Sequence, residues 1–437
     1  MRQRWWRELA LPLAVALALR LSLLALVAVV PAWDGVIYVR AAQQLAAGQG
    51  YTLRILDETN RALPTAFYPV GFPALLAAVR LAGGSLLADR LLQIGACSAL
   101  VPVAYLLARR SRHRRAGRAA AWAAALWPGG VFLSATWLAE PIFALGIGLA
   151  LLPLAYAHRR HRYLALFVAA LGLGLTAYVR ASSLPMAALL GAMVGYAWFA
   201  RFGPRLRVVA ALALGLAVTA AACVPLIPWA LRNERVLGAP VLVSTNGGVN
   251  LLLGTRGDGG FAPIDADEEC KTAPLREVER DRCYAQQAKT VIRQAPIDWL
   301  ARSLLKLVHT YGHESATAQC FGEGVVGSEA TRETWKLLAL GLSRLGWLVL
   351  LCAAIAGGSS MLKRGTPICR AVLLAPIAAL AALHMVYLGG DRYHPAVAPM
   401  VLALAGIAFA ELRKKRAAVT SGSDTQGSDR LAPKVDF

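Results

Sequence analysis

The sequence predicts an all-α polytopic membrane protein with about ten transmembrane helices, eleven if one further apolar segment crosses, and a soluble subdomain on the outer face. Three observations carry this. Of 437 residues, 57% are hydrophobic and only 16% charged, and the mean hydropathy of +0.51 lies outside the usual range of a soluble globular chain. The apolar residues fall in blocks of about 17 to 23, each long enough to cross a hydrocarbon core of roughly 30 Å as a helix. Lipid-facing backbone must satisfy its own polar groups, so helices are the spanning form. Third, the basic residues cluster between blocks. A net charge of +21 would also suit a nucleic-acid binder. Confinement of the charge to short loops beside span ends is instead the signature of cytoplasmic loops.

Taken in order, the first block, 9–31, is too long for a removable signal peptide and lacks a small-residue cleavage site, so it is a retained span. The others are 89–108, 119–134, 142–157, 163–179, 184–200, 208–229, 335–356, 371–388 and 395–410. With the amino terminus inside, these ten spans put Arg2, Arg4 and Arg7, the run from Arg109 to Arg118, and Arg159, Arg160 and Arg162 in the cytoplasm. Arg201, Arg205 and Arg207, then Lys363, Arg364 and Arg370, then Arg413 to Arg416 join them there. The segment 68–87 must then stay on one side. Its two prolines, glycine pair and internal Arg80 suit a re-entrant or juxtamembrane helix.

The resulting organisation is a transmembrane module over 1–229 with a first outer loop at 32–88, a large outer subdomain at 230–334, closing helices at 335–411 and a disordered cytoplasmic tail at 412–437. The outer subdomain carries 14 of the chain's 25 acidic residues against 12 basic ones. Within it, "PIDWLARSLLKLVH" spaces Ile297, Leu300, Leu304 and Val308 three to four apart, as in a helix lying on a membrane. Cys270, Cys283 and Cys320 also fall there; a Cys270–Cys283 disulfide suits an oxidising compartment, though spacing does not fix the pairing.

Few residues carry chemistry. Asp34 stands just past the first span beside Trp33, placed either to cap the next helix or to act as a base at the water–lipid boundary. Glu140 sits in the apolar turn "SATWLAEPIF", where a carboxylate either caps a helix starting at Pro141 or serves a ligand. Arg180 and Arg392 are outer-face arginines, against the positive-inside tendency; each either snorkels or holds a phosphate. "STNGGVNLLLG" is turn chemistry, a hairpin or an anion nest. His309 and His313 lie one helical turn apart, but no third metal ligand is spaced nearby, so metal dependence stays open. There is no P-loop, complete dinucleotide fingerprint or serine-hydrolase elbow.

In their order along the chain, "WDGVIYVRAAQQLAAGQGYT", "FYPVGFPALLAA", "LAEPIF", "RASSLP", "PWALRNERVLGAPVLVSTNGGVNLLLG" and "DRYHPAVAPMVLALA" resemble GT-C glycosyltransferases of the family 39 type. That group includes protein O-mannosyltransferases and lipid A aminoarabinose transferases. The resemblance implies a GT-C fold in a bacterial inner membrane, with the site facing the periplasm. It implies a polyprenyl-phosphate sugar as donor, a lipid, glycan or protein as acceptor, and Asp34 as catalytic base. Many relatives carry Asp-Glu where this chain has Asp34-Gly35. Glu140, Arg180, Arg392, Tyr68, Asn246 and His394 are the expected substrate-binding set. A polysaccharide polymerase or ligase, or a transporter of lipid-linked substrates, is the rival class.

Overall fold

Proline, glycine and arginine clusters end the apolar runs, and the helices follow that punctuation. The computed structural model describes residues 3–53, 63–110, 114–262, 264, 269–273 and 275–428. In chain order the helices are α1 Gln3–Leu26, α2 Asp34–Ala46, α3 Gly71–Leu81, α4 Leu86–Arg109, α5 Arg114–Leu126, α6 Pro128–Leu133, α7 Glu140–Tyr156, α8 Arg162–Ala177, α9 Ser183–Trp198, α10 Pro204–Cys223 and α11 Ile227–Leu237. There follow α12 Gly247–Leu253, α13 Glu269–Thr272, α14 Glu277–Gln294, α15 Pro296–Tyr311, α16 Ala316–Gly324, α17 Glu329–Arg364, α18 Pro367–Val386 and α19 Ala398–Ser428. A two-residue ladder, β1 Thr52–Leu53 against β2 Leu63–Pro64, is the strand content of the described residues.

Six described helices are long and apolar enough to cross a membrane, from Trp6–Leu26 to His394–Lys414. The remaining expected spans are shorter. α7, α8 and α9 have 17, 16 and 16 residues, and Pro128 breaks the block 119–134 into α5 and α6. α3 has 11 residues, so at 1.5 Å per residue it reaches about 16 Å, half of a hydrocarbon core. Arg80 holds the break between α3 and α4: its guanidinium bonds the carbonyls of Gly84 and Ser85 and the carboxylate of Asp89, which also accepts from Trp137 Nε1 at 3.1 Å. The last helix continues to Ser428, past the start expected for the disordered tail.

Alanine lets the central helices approach closely. Ala104 and Ala108 of α4, Ala116, Ala120 and Ala124 of α5, and Ala403 and Ala405 of α19 are buried in one core. A Cβ on Gly406 would stand 2.6 Å from the Ala116 carbonyl oxygen, so that crossing of α19 over α5 needs glycine.

In the outer subdomain, Cys270 and Cys283 are disulfide-bonded, joining α13 to α14, while Cys320 is free and buried. Glu277, first residue of α14, ties this subdomain to the first outer loop: it accepts from Thr65 Oγ1, the Ala66 amide and Thr245 Oγ1 at 2.5, 2.8 and 2.6 Å. α15 turns its apolar stripe outward, with Ile297, Leu300, Leu304 and Val308 all exposed, while Ser303, Lys306 and Thr310 are buried against the protein. The "STNGG" stretch is neither a hairpin nor an open nest. It starts α12, and the Gly248 amide already holds the chain's own Asp281 carboxylate at 2.6 Å.

A candidate active site at one end of the helix bundle

Asp34 is the first residue of α2, yet no side-chain cap forms there. Its carboxylate instead faces Arg392, with which it is ion-paired, and accepts from the Tyr68 hydroxyl at 3.1 Å. The preceding Trp33 is the one non-glycine residue with positive φ among the described residues, at 53°. Such backbone is strained for a bulky side chain and persists where surrounding contacts hold it. Here the hold is a 2.6 Å bond from Trp33 Nε1 to Glu323 Oε2 on α16. Gly35 is fixed by space, since a Cβ there would lie 2.9 Å from Trp137 Cβ. A carboxylate side chain at this position has no room in this chain.

Glu140 starts α7, and its side chain is 1% exposed. It is ion-paired with Arg180, from the turn between α8 and α9, and Arg392 Nε stands 3.8 Å from the same carboxylate oxygen. Both guanidinium groups lie over the Tyr393 ring, at 5.4 and 5.6 Å. Tyr38, one helical turn after Asp34, packs edge-on against Tyr68 and Phe72 and is buried. Five loops or helix ends thus meet at one end of the bundle. Two carboxylates and two guanidinium groups alternate there, and Glu140 Oε2, Arg180 Nε and Arg392 Nε are buried without a hydrogen-bond partner among the described residues. Unpaired buried polar atoms of this kind, one acceptor and two donors, call for an explanation.

The electrostatics follow from this alternation. Burial pushes the Asp34 carboxyl up, but the charge and hydrogen bond of Arg392, the charge of Arg180 and the Tyr68 hydroxyl outweigh it, leaving the pKa below the usual carboxylate value. Burial and the Asp34 charge both push the Tyr68 and Tyr38 hydroxyls upward, so each stays protonated and able to donate. Burial lowers Arg392 and Arg180, and the carboxylates more than restore them.

Two of the expected substrate-binding residues stand elsewhere. Asn246 stands at the residue before α12 with no side-chain cap bond, and its side-chain oxygen accepts from Ser244 Oγ. His394 is fully buried, bonded to the Thr310 carbonyl at 2.8 Å, stacked on Trp347, and 3.4 Å from Glu314. The histidine pair separates too: His309 faces Asp258 and His313 faces Asp391. Asp391 is a residue the sequence did not flag. It accepts from the Ser315 and Ala316 amides at the start of α16, which fixes the turn carrying Arg392. Nothing local to "GGDRYHP" marks that anchor, because its partners are more than 70 residues away. Among the described residues no three His, Cys, Asp or Glu side chains gather as a metal site. Asp34 and Glu140 are moreover clasped by cations, a donor set that does not fit a divalent ion as arranged.

No protein-family model and no curated protein matches the chain. Solved structures do. The archaeal oligosaccharyltransferase AglB from Archaeoglobus fulgidus, in complex with an inhibitory peptide and a dolichol-phosphate, aligns over 100% of this chain at 13% identity and a TM-score of 0.53. The apo form of the oligosaccharyltransferase from the same organism aligns over 100% of this chain at 14% identity and 0.54. The chain spans about half the length of these proteins, 53% in each case. ArnT from Cupriavidus metallidurans bound to undecaprenyl phosphate aligns over 99% of this chain and 82% of that one, at 15% identity and a TM-score of 0.41, too loose to carry an argument. What the archaeal likeness establishes is the fold: the chain is built like the aligned half of this archaeal membrane protein, with six described helices long and apolar enough to cross a membrane.

Proposed function

We propose that the chain is a membrane glycosyltransferase that moves one monosaccharide from a polyprenyl-phosphate carrier to an acceptor hydroxyl or amine on a lipid, glycan or protein at the outer face of a bacterial inner membrane. The observation that carries this reading is the meeting of Asp34, Glu140, Arg180 and Arg392 at one end of the bundle, with buried guanidinium nitrogens left unbonded. The likeness in fold to a protein solved with dolichol-phosphate supports it. In the proposed step the acceptor oxygen or nitrogen bonds to the anomeric carbon from the face opposite the phosphate, its proton passes to Asp34, and the carbon–oxygen bond to phosphate breaks with its electron pair leaving on the phosphate. One displacement inverts the anomeric centre. Positive charge builds on the sugar and negative charge on the leaving group, which Arg180 and Arg392 neutralise.

A carboxylate paired with Arg392 is a poor base, because its affinity for a proton is low. The arriving phosphate resolves this by competing for the arginine. As Arg392 turns to the phosphate, Asp34 loses the interaction that depresses its pKa and becomes more basic when the acceptor is beside it. The pH profiles then differ. In the free enzyme Asp34 stays ionised down to below the usual carboxylate range, so the acid limb of kcat/KM lies low; in the donor complex the limb of kcat moves to higher pH. Identical acid limbs would sink the exchange of partners.

The function itself is tested by incubating the purified protein with a panel of polyprenyl-phosphate sugars and candidate acceptors, then assigning the anomeric configuration of the product by NMR. Release of polyprenyl phosphate with an inverted product is expected. Retention of configuration, or no turnover of any lipid-phosphate sugar by protein that binds it, would overturn the reading.

A further inference from the structure

A cavity of about 1090 Å³ opens sideways between α1, α5, α17 and α19, and no residue of the candidate site lines it. Its walls are apolar: Trp122 and Leu126 of α5, Leu342, Leu345 and Val349 of α17, with Trp127 at its inner end. Leu345 and Val349 are 64% and 51% exposed although they belong to a helix long and apolar enough to cross a membrane. Its mouth is cationic. Arg115, Arg118 and Arg413 converge there with a single carboxylate, Glu8. Glu8 is taken by Arg118 at 3.1 Å and by the Tyr105 hydroxyl, so Arg115 and Arg413 have no counter-charge among the described residues. A second cavity of about 550 Å³ shares Glu8, Arg118 and Trp122 and adds Arg7.

The depth of the groove is informative. From Arg115 to Leu126 along α5 is eleven residues, about 17 Å at 1.5 Å each, a little over half of a roughly 30 Å hydrocarbon core. The groove is one leaflet deep with its positive charge at the headgroup level. It is also at the wrong end for the proposed donor. Arg413 lies fifteen residues along α19 from Ala398, about 23 Å from the end beside Arg392.

We propose that this groove is a binding site for an anionic phospholipid of the leaflet on the Arg115 side. One acyl chain lies along Trp122, Leu345 and Val349, and the phosphodiester is held by Arg115 and Arg413. Two guanidinium groups without internal partners supply the charge preference, and the apolar wall supplies the chain site.

The test is native mass spectrometry of the full chain purified in mild detergent and equilibrated with equal amounts of phosphatidylglycerol and phosphatidylethanolamine. The wild type is expected to retain phosphatidylglycerol preferentially. Arg115→Gln with Arg413→Gln should lower that retention about 25-fold, near fivefold per arginine. Leu345→Trp, at an exposed groove position, should lower retention of both lipids by filling the chain site. Arg201→Gln with Arg205→Gln, in another basic loop, should change nothing. All variants are compared as monodisperse species in size-exclusion chromatography. Equal retention of the two lipids by the wild type, full retention by the Arg115/Arg413 variant, or stoichiometric displacement of phosphatidylglycerol by undecaprenyl phosphate would each overturn the proposal.

Discussion

Asp34→Asn is expected to reduce sugar transfer by about 10²- to 10⁴-fold, the contribution typical of one positioned general base. Asparagine keeps the size of the side chain and can still accept from Tyr68 and Arg392, so the helix start and the Trp33–Glu323 clamp should persist. What is lost is the capacity to take a proton. The loss should therefore fall on kcat, with KM for the lipid donor nearly unchanged, as when an interaction made only in the transition state is removed. Removal of the negative charge also loosens the hold on Arg392 before the donor arrives, so donor affinity should not fall. Transfer is measured by release of labelled sugar into acceptor at saturating donor, beside a thermal-unfolding control. A loss of less than about tenfold in folded protein would remove Asp34 from the role of base.

The sequence made the multi-pass helical class readable because the physics is local, and six of the ten expected spans are helices long and apolar enough to cross. Twenty apolar residues and a following arginine cluster decide a crossing without reference to anything distant. The break within 68–87 was legible for the same reason, from its prolines, glycine pair and Arg80: a helix of 11 residues ends there, and the partner of Arg80, Asp89, is only nine residues away. Asp34, Glu140, Arg180 and Arg392 stood out as charges at apolar span ends, where desolvation makes a bare ion expensive. Their pairing was not readable. Asp34 and Arg392 are separated by 358 residues, and only the packing of α1, α7, α8 and α18 brings their ends together. The anchors were silent for a similar reason. Glu323 beneath Trp33 and Asp391 behind Arg392 are ordinary polar residues in sequence, and positive φ at a tryptophan has no sequence mark. Conversely, Asn246 and His394 sit within the motifs that carry the family resemblance, yet the first bonds the Ser244 hydroxyl and the second is buried against Thr310 and Trp347. A motif marks a conformation as readily as a contact with substrate.

Glu140 and Arg180 allow the structural and chemical demands on the site to be separated. Arg180→Ala leaves a carboxylate that is 1% exposed with only Arg392 Nε nearby, at 3.8 Å. Breaking a buried pair from one side typically costs about 3–5 kcal/mol, because the remaining charge has lost both water and partner. Arg180→Ala should therefore lower the unfolding temperature measured by tryptophan fluorescence in detergent, and should also abolish transfer. Adding Glu140→Gln removes the stranded charge. Since replacing both members of a buried pair is often close to neutral, the double variant should recover at least half of the lost stability. Transfer should not return, because the phosphate has lost one of its two arginines. This divergence is the informative outcome. If Arg180→Ala alone unfolds at the wild-type temperature, Glu140 does not depend on its partner, and the pair cannot be the charge-balanced platform on which Arg392 is poised between Asp34 and an incoming phosphate.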